Sequence, residues 1–318
     1  MKHLGKDFDF VGKRNIFFII SLSIMAIGIL FNIFVGLELD ISFKGGTMAR
    51  YGFTGEIDVK DIADKLSESM GMNPEIQTSS VDNVIHISFA ENMSVEQTNQ
   101  LDDVLKTSYP DSEFQQQQLN TLKPSMGLLF LLKCIVAIIL SSIFLMIYVA
   151  IRFRKIGGWS AGAMSLIALL HDVLIAYFTF VILGIPLNDN FVAVVLTILG
   201  YSLNDTIIIY DRVRENRRLM PKTTPMREIV NKSINQSFTR SINVSLCTFF
   251  AIAAVAVLAL INGLDSIVSF AVPMMIGIIS GSYSTIAICG PLWVVWLEHG
   301  DKKQKSKEAS KKTAKATK

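Results

Sequence analysis

The sequence predicts a polytopic α-helical membrane protein in which six transmembrane helices carry one small exported α+β domain between spans 1 and 2. Of its 318 residues, 51% are hydrophobic and only 18% are charged, and its mean hydropathy is positive, a composition typical of membrane proteins. A helix needs roughly 20 apolar residues to cross about 30 Å of hydrocarbon. Six windows of this kind occur, at 15–37, 126–151, 161–183, 190–210, 241–261 and 267–296.

The first window follows an N-terminal segment, 1–14, that ends in the basic pair Lys13 and Arg14. A basic start before an apolar run is also found in signal peptides. Here the run is longer than a signal-peptide core and ends in GLELD, without a small-residue cleavage site. The sequence therefore predicts a retained anchor, transmembrane 1, over 15–37.

Basic residues occur on alternate sides of the predicted membrane. They precede span 1, follow span 2, dominate the segment 211–240 and recur in the tail 297–318, whereas the loops GIPLNDN and NGLDS contain none. Because short cytoplasmic loops carry the excess of Lys and Arg, we expect both termini in the cytoplasm and the long loop 38–125 outside. The Lys-rich tail is expected to be disordered and solvated, with contact to acidic lipid headgroups or ribosomal RNA as the weaker interpretation.

The exported segment 38–125 has room for one small domain. It contains about 15 acidic residues against six basic ones, as fits a translocated loop. A capping-box pattern, Ser94 with Gln97, begins its second helix. The elements read as strand TMARYGF, helix IDVKDIADKLSESMG, a hairpin of EIQTSS and NVIHISF across 81–83, helix SVEQTNQLDDVLKTSY and strand SEFQQQQL. This β-α-β-β-α-β order predicts a ferredoxin-like fold over 38–125.

Two glycines, Gly45 and Gly46, follow the first span in the stretch ISFKGGT. We expect them to form the turn at which the chain leaves the membrane for the domain, with direct contact to a substrate as the alternative.

Motifs for soluble enzyme chemistry are missing from the sequence. No Cys/His cluster has zinc spacing, and neither a phosphate-binding glycine loop nor a nucleophile elbow occurs. Cys134, Cys247 and Cys289 all fall inside apolar spans, which leaves the exported domain without a disulfide framework. We therefore expect no catalytic residue, no metal and no cofactor.

Asp205 is the charged residue that most needs an explanation. It lies within GYSLNDTIIIYDRVREN, and counting from Asn190 at about 1.5 Å per residue places it roughly 20 Å from the outer boundary, inside the hydrocarbon. A carboxylate at that depth must be protonated, paired or in contact with water. Arg240, at the start of span 5, is predicted at similar depth. The pair could be a salt bridge that only fixes packing, or Asp205 could exchange a proton for which Arg240 competes.

Span 3 carries a second polar pair, His171 and Asp172, in ALLHDVLIAYF. Adjacent helical residues point about 100° apart, so we expect the two side chains not to share a face. His171 could relay protons or bond a neighbouring helix, and Asp172 could accept bonds from serine or amide groups. Asn204 is a further intramembrane polar candidate. The G-x-x-x-G patterns at Gly158–Gly162 and Gly277–Gly281 predict close helix packing.

Four stretches together carry a resemblance over essentially the whole chain: GYSLNDTIIIYDRVREN, the LHDV of span 3, the FTRS at the start of span 5, and ISFKGGT. They resemble the SecF family, six-span partners of SecD that are related to resistance-nodulation-division exporters. The resemblance implies a subunit that pairs with SecD in the bacterial inner membrane and uses protons as the coupling ion. It also implies that the subunit helps exported polypeptides leave the SecYEG channel. It implies Asp205 as the proton-handling aspartate and Arg240 as its partner.

Two other functions remain open at this stage. Six spans with intramembrane acids would also suit half of a proton-coupled exporter of small molecules or lipids. Alternatively, the chain could be a passive scaffold of the translocon in which the Asp205 and Arg240 pair is structural. No nucleic-acid partner is expected in any of these cases, and none requires an enzyme.

Overall fold

The computed structural model describes residues 8–55, 57–79, 83–122, 124–262 and 264–300. Six of its helices are long and apolar enough to cross a membrane, which confirms the predicted fold class. In chain order the elements are α1 (Arg14–Val35), the single turn α2 (Ile41–Lys44), β1 (Gly46–Gly52), α3 (Val59–Met70), β2 (Glu75–Ser79), β3 (Val84–Phe89), α4 (Val95–Ser108), β4 (Gln115–Leu122), α5 (Pro124–Arg152), α6 (Gly158–Leu183), α7 (Asp189–Leu219), α8 (Met226–Ile261) and α9 (Asp265–Tyr283). The sixth span continues from α9 through a π-helical segment, Ser284–Cys289, to Gly300.

The helices of spans 4 and 5 extend well beyond their apolar windows. Helix α7 continues to Leu219 and α8 begins at Met226, so the segment 211–240 is helical except for a short connection. Hydropathy detects only the part of a helix that suits hydrocarbon, whereas the helix itself can continue through polar residues into water. The predicted tail 297–318 lies outside the described residues from 301 onward.

The α+β domain between spans 1 and 2, predicted to be exported, has the expected ferredoxin-like order. Its four strands form an antiparallel sheet in the order β2-β3-β1-β4. Local signals set its helix ends: Asp58 accepts hydrogen bonds at the start of α3, and Ser94 and Gln97 form the predicted capping box of α4. Helices α3 and α4 cover one face of the sheet and enclose a core that includes Tyr51. The tip of the predicted hairpin, residues 80–82, lies outside the described residues.

Small residues allow the spans to approach closely. In α6, a side chain at Gly158 would collide with the Ala150 carbonyl of α5. In α9, a side chain at Gly277 would collide with Ile198 of α7, and a Cβ at Gly281 would lie 3.1 Å from Ser202. Both G-x-x-x-G patterns therefore mark close helix contacts, as predicted.

An exit segment from span 1 leads into the α+β domain through a turn that contains both predicted glycines. Gly45 has φ 82° and Gly46 has φ 145°, values that side chains with a Cβ rarely adopt, and β1 begins at Gly46. The same exit segment is tied to the α6–α7 loop, because the Leu187 N–H donates to the Glu38 carbonyl over 2.8 Å.

Candidate functional site

Asp205 is buried in the bundle and has no hydrogen-bond partner. Its residue is 1% exposed, and neither carboxylate oxygen finds a donor among the described residues. The Ser241 hydroxyl of α8 is also buried and unpartnered. Burying a carboxylate without donors is costly, because nothing replaces the water that solvated it. In this arrangement the site therefore disfavours a permanent negative charge on Asp205.

The neighbouring helix supplies the groups that act on Asp205. Helices α7 and α8 pack together, with the Ser241 hydroxyl close to the Asp205 carboxylate but outside hydrogen-bonding geometry, and with Arg240 near enough to attract the carboxylate. Arg240 is nevertheless exposed and forms no hydrogen bond with either Asp205 oxygen. The two residues lie on adjacent helices, as predicted, without a closed ion pair.

Arg240 lines a cavity of about 800 Å³ between α7 and α8. The cavity extends along the predicted cytoplasmic ends of these helices, past Arg212 and Arg218. Within it, Arg212 bonds to Glu215 over 2.6 Å and to Gln236 over 2.7 Å. Arg240 thus lies beside a polar, charged opening between α7 and α8.

Asp172, in contrast, is fully satisfied by hydrogen bonds. Its residue is 0% exposed, and three serine hydroxyls donate to its carboxylate: Ser202 of α7 over 2.8 Å, Ser280 of α9 over 2.8 Å and Ser284 over 2.7 Å. Hydrogen bonds to a charged acceptor are among the stronger ones in proteins. We call Asp172 and these three hydroxyls the serine cage. It joins spans 3, 4 and 6.

Sequence and backbone together position the serine cage. Ser280 and Ser284 are four residues apart and so share one helix face. The small residues Gly277 and Gly281 on the same span let α9 approach α7, which brings Ser202 into range. Ser284 is also the first residue of the π-helical segment, and π-bulges occur frequently at functional sites.

The His171 and Asp172 side chains, expected not to share a helix face, are nevertheless in contact. The His171 Nδ1 atom lies 3.2 Å from Asp172 Oδ1. Although the two Cα–Cβ bonds diverge, the histidine ring is carried on two rotatable bonds and can turn back toward its neighbour. The other ring nitrogen, Nε2, is buried without a partner, and the ring centroid lies 6.3 Å from that of Tyr283.

Asn204 does not belong to the surroundings of either buried carboxylate. It is exposed on α7, whereas its sequence neighbour Asp205 faces inward. Among the described residues, no group of three His, Cys, Asp or Glu side chains could hold a metal ion.

The sequence interpretation anticipated serine donors to Asp172 but did not identify which serines complete these sites. Ser202, Ser280 and Ser284 form the cage, and Ser241 lies beside Asp205. A usable signal was present, because serines four residues apart in an apolar span often bond across helices. This spacing could not indicate which neighbouring helix the serines would face.

The chain is similar to known export proteins over most of its length. The family model for protein export membrane protein SecD/SecF, C-terminal, matches residues 100–299. The SecF protein translocase subunit of Alicyclobacillus acidocaldarius is 31% identical over 93% of this chain and 95% of its own length. The SecDF subunit of Bacillus subtilis is 32% identical over 92% of this chain, which spans 38% of that longer protein.

A solved structure has the same fold. The crystal structure of SecDF from Thermus, titled a translocon-associated membrane protein, superposes with a TM-score of 0.77 at 28% identity, covering 94% of this chain and 40% of that one. With the matched family model and relatives over 30% identical along nearly their whole length, the chain belongs to the SecD/SecF family of protein-export membrane proteins, as a SecF-type translocase subunit.

Proposed function

We propose that this chain works with SecD as a proton-driven subunit of protein export, in which Asp205 takes up and releases the proton and Arg240 is its partner. The Bacillus and Thermus relatives are SecDF proteins longer than this chain, which supports pairing with SecD. The Thermus protein is described as translocon-associated, which supports SecYEG and exported polypeptides as further partners. The location that follows is the bacterial inner membrane, with both termini cytoplasmic and the ferredoxin-like domain outside.

One observation carries the proton role: the Asp205 carboxylate is buried, and neither of its oxygens is hydrogen-bonded. A permanently charged group is normally paired or solvated at such depth. An acid that must alternate between charged and neutral forms is better left without fixed donors, since these would stabilise only the charged form. The surroundings of Asp205 fit the second case.

In the proposed cycle, Asp205 alternates between a neutral and a charged form, and each form favours a different packing of α7 against α8. When it is neutral, Arg240 remains in the polar cavity between α7 and α8, where it now lies. When it loses its proton, the carboxylate attracts Arg240, and α7 and α8 repack. A difference in proton affinity between the two arrangements lets the proton gradient drive the change. The exported domain follows because it is continuous with spans 1 and 2.

The test is precursor translocation into inverted vesicles that contain SecD and SecYEG, with and without a proton gradient. Asp205→Asn and Arg240→Met are expected to assemble with SecD normally and to lose the gradient-dependent part of translocation. Thr197→Val is the matched control, because Thr197 is exposed on the same helix and its hydroxyl bonds only to the Ala193 carbonyl of its own helix. It should behave as wild type.

Unchanged gradient dependence in a fully assembled Asp205→Asn complex would overturn the proposal and favour a passive scaffold. Loss of a specific small-molecule efflux on deletion, with translocation intact, would instead favour an exporter.

A further inference from the structure

The segment just before span 1 is bound to the start of span 5. Two asparagines on α8 hold the Phe8 backbone: its N–H donates to Asn235 Oδ1 over 3.0 Å, and Asn231 and Asn235 Nδ2 donate to its carbonyl over 3.1 and 2.8 Å. The Val11 N–H donates to Asn231 Oδ1 over 3.3 Å. We call residues 8–12 the N-terminal strap. Its backbone is held by two side chains one helical turn apart.

Apolar and charged contacts complete the attachment. Within the strap, Val11 is fully buried and Phe10 is 8% exposed. The Phe10 ring centroid lies 5.7 Å from that of Phe238 on α8. Asp9 pairs with Arg227 of α8 at 3.4 Å. A side chain at Gly12 would collide with the Asp9 carboxylate, so the strap needs a glycine at that position to keep this contact.

The strap connects two parts of the molecule that the proposed function requires to move together. Asn235 precedes Ser241 by six residues, about 9 Å along a helix at 1.5 Å per residue. On the other side, the strap leads directly into α1, whose far end continues through α2 into β1 of the exported domain. Only 11% of the apolar window of α1 is buried, and α1 also contacts spans 3 and 6: Asn32 Oδ1 accepts from the Tyr177 hydroxyl, and the Phe17 carbonyl accepts from the Tyr283 hydroxyl.

We propose that the N-terminal strap couples span 5, which carries Arg240, to span 1, which leads into the exported domain, with Asn231 and Asn235 as the positioning residues. A displacement of α8 that accompanies proton exchange at Asp205 pulls on the Phe8 backbone and so moves α1. This inference rests on the proposed function of Asp205. It adds the route by which the movement leaves the proton site.

The experiment uses two cysteine reporters in separate Cys247→Ser chains, reconstituted with SecD and SecYEG. Ser237→Cys reports on the cavity beside Arg240, and Ser88→Cys reports on the cleft between the sheet and the outer loops. Thiol labelling rates are measured with and without a proton gradient. In the unaltered strap background, the gradient is expected to change both rates.

With Asn231→Ala and Asn235→Ala combined, the gradient-dependent change at Ser237→Cys is expected to persist, whereas that at Ser88→Cys is lost. We also expect the double-alanine chain to lose gradient-dependent translocation, although SecD should still copurify with it. Asn262→Ala is the matched control, because Asn262 bonds only to its own helix, at the Leu258 carbonyl near the other end of α8. In Asn262→Ala, the gradient should still change the labelling rates of both reporters.

A covalent link separates coupling from mere destabilisation. Asp9→Cys with Arg227→Cys, placed in a double-alanine Cys247→Ser chain without a reporter cysteine and joined by a short bis-maleimide, is expected to restore gradient-dependent translocation. Persistence of both reporter changes in the uncrosslinked double-alanine chain would overturn the inference, and so would loss of both together or failure of the link to restore coupling. If Asp205→Asn alone keeps full gradient dependence, the proposed function fails, and the inference fails with it.

Discussion

The two carboxylates buried in the bundle differ in what surrounds them. Asp172 receives three serine hydroxyls from two other spans. Asp205, on the next span, has no donor for either oxygen among the residues that the structure describes. Both are essentially inaccessible to solvent, so burial alone does not separate them. The difference teaches that the number of fixed donors distinguishes a structural carboxylate from one suited to exchange a proton.

The largest expected effect is on stability. Asp172→Asn replaces one carboxylate oxygen with an NH₂ group that cannot accept from a serine hydroxyl, and since each buried polar group left unpaired costs about 1–3 kcal/mol, the free energy of unfolding should fall by several kcal/mol. Asp205→Asn replaces a buried carboxyl group that has no donor among the described residues, and should leave stability unchanged or raise it. Thermal unfolding in detergent measures both. Equal losses of stability in Asp172→Asn and Asp205→Asn would contradict the distinction drawn between the two carboxylates.

The individual serines should show smaller losses. Ser280→Ala and Ser284→Ala each remove one bond to Asp172 and are expected to lower the free energy of unfolding by about 1.5–3 kcal/mol. Ser282→Ala is the control on the same helix, because its hydroxyl is buried without any partner. Its removal should cost nothing. Unfolding of the three variants under identical conditions decides whether the cage is as strong as its geometry indicates.

Arg240 should matter for coupling more than for folding. It is exposed, and no ion pair involving it occurs among the described residues, so Arg240→Gln is expected to change the unfolding temperature little. Gradient-dependent translocation should nevertheless be lost, with partial activity in Arg240→Lys, which keeps the charge on a different geometry. A large fall in unfolding temperature with Arg240→Gln would place the residue with Asp172, as a structural charge.

The smallest expected effect is on the pH dependence of stability in the α+β domain. It distinguishes pH responses of this domain from those of the spans. Burial, and then the neighbouring Arg50, lowers the pKa of His86 below its ordinary value of 6.5. The unfolded chain therefore takes up this proton more readily than the folded domain. The stabilising contribution is present above pH 6.5, declines as the pH falls below that value and is gone at the folded-state pKa.

His86→Gln should therefore flatten the pH dependence of the domain's resistance to protease between pH 7.5 and 5.5, a range that begins about one unit above the ordinary histidine pKa. Proteolysis of the full chain in liposomes that expose the domain measures this. A variant with wild-type pH dependence would show that the response arises elsewhere. Any gradient response that survives His86→Gln belongs to the spans.

Sequence patterns were sufficient where the information is local or periodic. Apolar windows identified all six spans, and the capping box at Ser94 was read directly from residue spacing. The depth of Asp205 in the membrane, obtained by counting residues along a helix of known rise, stays a prediction. The alternation of strand and helix patterns gave the order of the exported domain, although not which strand would lie at each edge.

Contacts between distant segments could not be read in this way. The serine cage depends on which face of span 6 meets spans 3 and 4, and helical spacing defines a face without naming its partner. The π-helical segment that begins at Ser284 has no periodic signature. Likewise, the N-terminal strap is too short for a hydropathy window, and its partners Asn231 and Asn235 lie more than 200 positions away in the chain.

The most direct test of the account is infrared difference spectroscopy of the reconstituted SecD-containing complex during pH titration. The account predicts a carboxylic-acid C=O band from a protonated aspartate that disappears on raising the pH in wild type and is absent throughout in Asp205→Asn. The same band at wild-type intensity in Asp205→Asn would contradict the claim that Asp205 is the proton-exchanging group of this chain.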